Sequence, residues 1–366
     1  MIPMVDLKQQ YETLKNQFDE RVIQCLSSGH FILGPEGKAL ESEIVNHLGA
    51  EFAFGLASGT DALILALRAA GIQAGDEVIT TPFTFMATAG AICLVGATPV
   101  FVDIDPLTYN IDPAQIEKAI TPATRALIPV HLFGQPADMT AIMAIAHKHQ
   151  LCVVEDCAQS IGASWKNKMT GTFGEFGCFS FYPSKNLGCY GDGGLVTVNN
   201  SAFAEKISSL RNHGSQVRYH HDMLGYNSRL DEVQAAILRI KLPHLTTYNE
   251  KRRQVAALYH HHLKNLPLTR PYEHPEATHV YHQYTILSEQ RDHLSQQLTQ
   301  AHIGNAIYYP IPLHRQHLFG DQYQSIALPH SERIAAQCLS LPIFPEMTEE
   351  QVKQVAAVIT EALYGK

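Results

Sequence analysis

Charge is scarce in this chain: only 17% of its 366 residues are Asp, Glu, Lys or Arg, and the formal net charge is -8. Nothing electrostatic draws such a surface as a whole to nucleic acid or to anionic lipid, so neither is expected as a partner. Long apolar runs are also missing. The longest, Ala89 to Val102, is broken by Gly96 and Pro99 and falls short of the roughly 20 residues that span a bilayer. The first residues, Met1 to Lys8, meet charge at once, with no basic region followed by an apolar stretch. A soluble, cytoplasmic protein is expected. The seven cysteines are odd in number, and Cys152, Cys157, Cys178 and Cys189 form no Cys-x-x-Cys pair, so free thiols are expected in place of a disulfide frame or a zinc knuckle. Histidine is abundant, yet His260, His261 and His262 are consecutive on a predicted helix and point about 100° apart, so they cannot converge on one ion; no metal is expected.

What is present is enough apolar side chain, 45% of the residues, to fill one large core or two adjoining ones. Short β-rich runs alternate with amphipathic stretches through the first two thirds, which predicts an α/β sheet between helices. The strands read as 51–56, 77–81, 99–104, 125–132, 151–155, 177–182 and 194–198, several nearly all apolar, as strands covered on both faces are. Helices are expected over 61–70 and 138–149, and a long helical pattern over 230–263 is interrupted by Pro243. Beyond it, strands at 280–287 and 307–309 and helices at 289–302, 331–339 and 348–363 suit a smaller α+β domain. The expected division is a large domain over residues 1–242 and a small C-terminal one over 243–366.

Two phosphate motifs are set aside first. The segment Gly34 to Ala39 lacks the glycine spacing of a P-loop and its Ser or Thr after the lysine, and Gly191 to Gly194 runs into a strand where a dinucleotide fingerprint opens a helix. Three other segments carry chemistry. Ala57-Ser58-Gly59-Thr60-Asp61 follows a strand and begins a helix whose first N–H groups lack internal partners, which suits a phosphate; ordinary N-capping by Ser58 or Thr60 is the alternative. Val153 to Gln159 is a buried strand ending in acid, and ligands of α/β sheets sit at the carboxyl ends of strands. Asp156 therefore faces the crevice or serves as a turn residue, and Glu155, on the opposite face, reads as structural. Cys178 to Gly194 places one lysine, Lys185, in a Pro-, Ser- and Gly-rich turn after an aromatic strand. Lysine is the residue for Schiff-base chemistry where its surroundings favour the neutral amine. A phosphate cup, an acid and such a lysine at one sheet edge match the needs of pyridoxal 5'-phosphate (PLP): an anchored phosphate, a protonated pyridine nitrogen and an amine for the aldehyde.

These segments, with Ile2 to Leu7, Pro82 to Thr88, Pro99 to Asp105, Gly225 to Arg229 and Leu341 to Pro345, resemble the DegT family of sugar-nucleotide aminotransferases nearly end to end. The resemblance implies a fold-type I PLP-transferase: a large domain with a mixed, mostly parallel central sheet between helices, plus the smaller α+β domain. It implies Lys185 as the catalytic Schiff-base lysine, Asp156 on the pyridine nitrogen, Phe85 stacked on the ring and Gln159 on the ring hydroxyl. Gly59, Thr60 and Ser180 would hold the phosphate, joined by Asn227 of a neighbouring subunit, so a homodimer with shared sites is implied. The implied reaction moves an amino group from L-glutamate to a keto sugar nucleotide for surface polysaccharide or lipopolysaccharide. Cys157 departs from the usual Ala of the family.

The PLP-dependent sugar dehydratases, which carry His in place of this lysine, are disfavoured by Lys185. Arg218 to His221, Gly225 to Asp231 and Tyr308 to His314 resemble the branch that aminates C3 of UDP- or dTDP-linked 3-keto sugars, which suggests Arg229, Tyr308, Tyr309 and His314 as substrate contacts. Members acting on UDP-2-acetamido-2-deoxy-3-oxo-glucuronate usually carry His where this chain has Tyr308, and amination of a 4-keto sugar is the further alternative.

Overall fold

Strands that are apolar on both sides end up in the middle of the molecule. The structure is a computed structural model that describes residues 1–365. Its main strands are Phe52–Leu56 (β1), Glu77–Thr80 (β2), Thr98–Phe101 (β3), Thr124–Leu127 (β4), Cys152–Asp156 (β5), Phe176–Ser180 (β6), Gly194–Val198 (β7), Tyr284–Leu287 (β8) and Cys338–Leu341 (β9). The first seven form one sheet in the order β1-β7-β6-β5-β4-β2-β3. Pairing is parallel from β6 through β5, β4 and β2 to β3, and β7 runs antiparallel to both of its neighbours. The mixed, mostly parallel sheet expected from the sequence is therefore present.

The period of two along each strand sorts side chains between the two faces. Phe176, Cys178, Val196 and Val198 join one core, with the helix Gly59–Ala69, while Phe179 and Leu195 join another on the opposite face, with Pro35–Leu48 and Glu232–Lys241. The Gly59–Ala69 helix buries Ala62 through Leu67 without a break, as a helix covered on all sides does. Carboxylates finish the helix starts: Glu232 accepts N–H bonds from Gly34, Glu36 and Gly37 at 2.8–2.9 Å, closing the N-terminus of Pro35–Leu48.

After Glu232–Lys241 the chain passes through a short 3-10 turn at Leu242–His244, with Pro243 inside it, into the helix Leu245–His262. The expected interruption is there. The C-terminal part packs β8 antiparallel to β9 and covers the pair with Arg291–Gln300 and Glu349–Tyr364 around Tyr259, Tyr284, Leu294 and Phe344. Ile2 is buried in this same core and its N–H bonds the His302 carbonyl at 3.0 Å, so the first residues lie with the C-terminal part although the sequence division puts them in the large domain.

Several boundaries differ from expectation. Residues 307–309 do not form a strand: Ala306 pairs with Ser340, and the segment then leaves the ladder ahead of Pro310 and Pro312, which cannot donate to it. The helix expected over 331–339 runs Pro329–Gln337, and Leu339 belongs to β9, where the alternating Cys338-Leu339-Ser340-Leu341 run pairs as a strand. The strand expected to reach Leu132 ends at Leu127, shortly before Pro129, and a 3-10 turn covers Leu132–Gly134. Helices at Leu7–Ser28, Pro35–Leu48, Met86–Leu94, Pro113–Ala119 and Ser201–Leu210 were not anticipated at all. Among the described residues no helix is long and apolar enough to cross a membrane.

Candidate active site

At the carboxyl edge of the sheet lies a cavity of about 520 Å³. Its floor is the turn from β1 into the Gly59–Ala69 helix. Ser58 caps that helix, its side chain accepting the Asp61 N–H at 3.1 Å, so the capping reading holds for Ser58 and leaves Thr60 to face the cavity. Gly59 is required by packing: a Cβ there would stand 2.8 Å from Cβ and 3.1 Å from Cα of Ser180, at the end of β6. Only hydrogen at that position lets the helix start abut the strand end, which brings Gly59, Thr60 and Ser180 to one concave, N–H-lined spot of the kind that binds phosphate.

Asp156 ends β5 and is buried at the cavity wall. Its Oδ2 accepts from the Thr88 hydroxyl at 2.8 Å and its Oδ1 from the Ala158 N–H at 3.1 Å. Burial pushes its carboxyl above the ordinary range, and these two donors, with the nearby Lys185 charge, oppose that shift. Glu155, one residue earlier, points the other way, as regular pairing requires. It accepts N–H bonds from Gly171, Phe173 and Gly174 and one from His131 Nε2 at 2.7–3.0 Å. His131 Nδ1 accepts the Ala137 N–H, so Nε2 carries the proton. Glu155, His131 and Cys157 are close enough to suggest metal ligation, but all four lone-pair positions of Glu155 are already occupied, and the cluster is a structural knot.

Lys185 follows β6 in a tight turn. Its N–H bonds the Tyr182 carbonyl at 2.8 Å, Cys189 N–H bonds Phe181 at 2.8 Å, and a Cβ on Gly188 would run into the Pro183 carbonyl. The turn so fixed sets the lysine in the cavity wall. Burial lowers the amine to about 8, against a smaller raising influence from Asp156. About a tenth of the amine is then neutral at pH 7, far more than for an ordinary lysine, and it is the neutral form that Schiff-base chemistry needs.

The opposite wall comes from the C-terminal part: His282, Gln283, Tyr308 and Tyr309. Gln159 ties it to the sheet, its Oε1 accepting the Phe133 N–H at 2.6 Å and its Nε2 donating to the Tyr309 hydroxyl at 3.2 Å. Phe85, 59% exposed, leans toward Tyr309 with ring centroids 6.1 Å apart.

Nine of the twelve residues singled out in the sequence meet here: Gly59, Thr60, Phe85, Asp156, Gln159, Ser180, Lys185, Tyr308 and Tyr309. Three do not. Asn227 is exposed and bridges Asn212; Arg229 donates to Asn212 Oδ1 at 2.8 Å; His314 is buried, its Nε2 2.9 Å from Glu332. Sequence reasoning missed the roles open to Thr88, His282 and Gln283. The spacing of Thr84 and Thr88 at a helix start was a usable signal, since their hydroxyls lie 3.0 Å apart and Thr88 reaches Asp156. His282 and Gln283 carried no signal, falling in a run that read as strand.

The residues present fit PLP: a cup that no Cβ can enter, a buried acid that two donors hold toward its charged form, and a partly neutral lysine, all in one cavity. Comparison with known proteins agrees. The DegT/DnrJ/EryC1/StrS aminotransferase family matches residues 12–360. The chain is 52% identical over 364 residues to a UDP-N-acetyl-3-dehydro-alpha-D-glucosamine 3-aminotransferase of Acidithiobacillus ferrooxidans, covering 100% of this chain and 98% of that one. It is 44% identical to a UDP-2-acetamido-2-deoxy-3-oxo-D-glucuronate aminotransferase of Pseudomonas aeruginosa, over 98% of this chain and 100% of the other. The crystal structure of DesV from Streptomyces venezuelae superposes with a TM-score of 0.96 at 42% identity, covering 100% of this chain and 99% of that one. The chain belongs to the DegT/DnrJ/EryC1/StrS family and is a fold-type I, PLP-dependent aminotransferase acting on sugar nucleotides.

Proposed function

We propose that the protein transfers the amino group of L-glutamate to C3 of a 3-keto sugar nucleotide, UDP-linked and N-acetylglucosamine-like, to make a 3-amino sugar for a cell-surface glycan. The observation that carries the chemistry is the meeting of Lys185, with its lowered amine, and buried Asp156 in the cavity floored by Gly59. PLP, when bound, supplies an electron sink and a temporary carrier for the amino group. In this reading residues 1–242 form the cofactor domain and 243–366 the small domain that closes the site.

Gly59, Thr60 and Ser180 would hold the phosphate, Asp156 would accept the N–H of the pyridine ring, Gln159 would bond the ring hydroxyl and Phe85 would pack on the ring. Lys185 takes a proton from the donor carbon and returns one at the acceptor carbon, a task for which an amine near pH 8 is matched. Asn227 stands away from its own chain's cavity, which supports a homodimer in which a second copy's Asn227 and Arg229 complete the site. His314 is already paired with Glu332 and does not line the cavity, so substrate contact is assigned to Tyr308 and Tyr309 instead.

Among the described residues Lys185 is the only lysine or arginine this chain contributes to the cavity wall, and Tyr308 offers a neutral phenol. A sugar with an uncharged C6 suits such a wall, in line with the activity named for the 52% identical relative. The uronate named for the 44% identical relative is the second reading, supported by the Arg229 of a second copy. A panel of 3-keto and 4-keto UDP- and dTDP-sugars, incubated with enzyme, PLP and glutamate and read by mass spectrometry, tests this. The 3-keto UDP-N-acetylglucosamine should be aminated fastest; turnover of a 4-keto sugar alone would overturn the assignment.

A further inference from the structure

Asn186, the residue next to Lys185, is buried and makes three side-chain hydrogen bonds to other parts of the molecule. Its Nδ2 donates to the Val280 carbonyl at 3.0 Å and to Asn249 Oδ1 at 2.8 Å. A backbone carbonyl can only accept, so the amide orientation is fixed and Oδ1 faces His282 Nδ1, 3.2 Å away. That nitrogen must then carry the proton. The Nε2 of His282 lies 3.4 Å from the Gln283 amide nitrogen, which can only donate, so the lone pair sits on Nε2 and His282 is held as a single neutral tautomer.

Each member is anchored in turn. Asn249, on the helix Leu245–His262, donates through Nδ2 to the Ile161 carbonyl at 3.0 Å, beside Gly162, where a Cβ would come within 2.6 Å of that nitrogen. Arg252 on the same helix donates to the Tyr281 and Ile343 carbonyls at 3.3 and 2.9 Å, and a Cβ on Gly134 would press on the N–H groups of Tyr281 and His282 at 3.0 Å. Residues 280–282 are thus clamped from both sides. Burial and the Lys185 and Arg252 charges keep the His282 imidazole well below its ordinary range, in agreement with the neutral tautomer that the hydrogen bonds demand.

We propose that Asn186 and His282 are positioning residues for Lys185: the Nδ1–H of His282 locks Asn186, and through it the lysine turn, to the C-terminal part of the molecule. The inference rests on Lys185 being the amine of the proposed reaction. It makes the burial of that amine depend on a hydrogen bond from the other side of the cleft, so that a disturbed small domain is felt at the lysine. The other titratable groups that line the cavity with Lys185 are Asp156 at the end of β5, Tyr182 on its own turn, Asp192 ahead of β7, and Tyr308 and Tyr309 on the far wall. None of these bonds Asn186.

The test reads Lys185 directly, in full-length cofactor-free protein, by competitive acetic anhydride labelling between about pH 6 and pH 11 with peptide mass spectrometry. Wild type should show a midpoint near 8. In His282→Leu and Asn186→Ala the midpoint should rise by roughly one pH unit or more as water reaches the amine. His282→Asn places an amide nitrogen where Nδ1 stood and should keep the low midpoint, whereas His282→Gln, whose amide reaches to the Nε2 position, should not. The Asn and Gln variants decide the matter even if the Leu variant fails to fold. Unchanged midpoints in Asn186→Ala and His282→Gln, with only the melting temperature lowered, would overturn the proposal. The reading of Lys185 as the reacting amine fails separately, if Lys185→Ala still transfers nitrogen.

Discussion

The Thr88 hydroxyl donates to Oδ2 of Asp156 at 2.8 Å, inside the protein, and takes a hydrogen bond from Thr84 at 3.0 Å in turn. Because Thr88 spends its proton on Asp156, the neighbouring threonine must be the donor in their contact. This two-hydroxyl relay favours the ionised carboxylate against the burial that disfavours it.

Thr88→Val removes the relay with almost no change of shape. Asp156 should then shift further toward its protonated form and lose its hold on a ring N–H. A hydrogen bond to a charged group is worth about 1.5–3 kcal/mol, so PLP should bind roughly tenfold more weakly or worse, measured by equilibrium dialysis, and the cofactor-free protein, with Asp156 and Thr84 each short of a partner, should melt at a lower temperature.

Gly59→Ala should act by packing. The new methyl would sit 2.8 Å from Ser180 Cβ, so helix start and strand end must part. Overpacking of this kind costs about 1–3 kcal/mol. Affinity for PLP should fall more than that for pyridoxal, which lacks the phosphate; equal losses in a binding titration would mean that the cup does not hold phosphate.

Lys185 also makes a stability prediction. Its amine is lowered to about 8 in the folded protein from 10.5 in the open chain, so the unfolded state binds more protons between these values and stability from this group rises with pH across that window. At pH 7 the buried ammonium is a liability. Lys185→Met should therefore raise the melting temperature of the cofactor-free protein at neutral pH, and the gap over wild type should shrink as the pH approaches about 10. Calorimetry at several pH values checks both the sign and the window.

Glu155→Gln should be among the most damaging single-atom changes in the protein. The carboxylate accepts four N–H bonds, and a carboxamide must turn its own N–H₂ on some of those donors. Breaking such a buried charged network costs about 3 kcal/mol or more, which urea unfolding would register as a lowered midpoint at unchanged slope.

Much of this was legible in the sequence because local chemistry and tertiary position agreed. Strands such as Cys152–Asp156 and Gly194–Val198 announce themselves by apolar runs, and Gly59, Asp156 and Lys185 each sit at the carboxyl end of a strand or just after one. Elements with sparse apolar faces did not announce themselves. Leu7–Ser28 buries only Gln10, Leu14, Phe18 and Cys25, too few to show a helical stripe. Met86–Leu94, nearly all apolar, has no stripe either, because its partly exposed positions, Met86, Ala87, Cys93 and Leu94, are apolar like its buried ones. The residues missed at the site act through partners distant in sequence: Thr88 through Asp156, His282 through Asn186. No spacing rule links them. The resemblance already assigns Asn227 to a neighbouring subunit, whereas the placement of Arg229 outside its own chain's cavity is one that only coordinates reveal.

The most direct measurement follows nitrogen itself. Enzyme loaded with PLP is given 15N-labelled L-glutamate and 3-keto UDP-N-acetylglucosamine, and the sugar product is isolated and read by NMR and mass spectrometry. The account predicts 15N bonded at C3 in the wild-type product and none with Lys185→Ala. Product nitrogen at C4, absence of label from the sugar, or full transfer by the Lys185→Ala variant would contradict it.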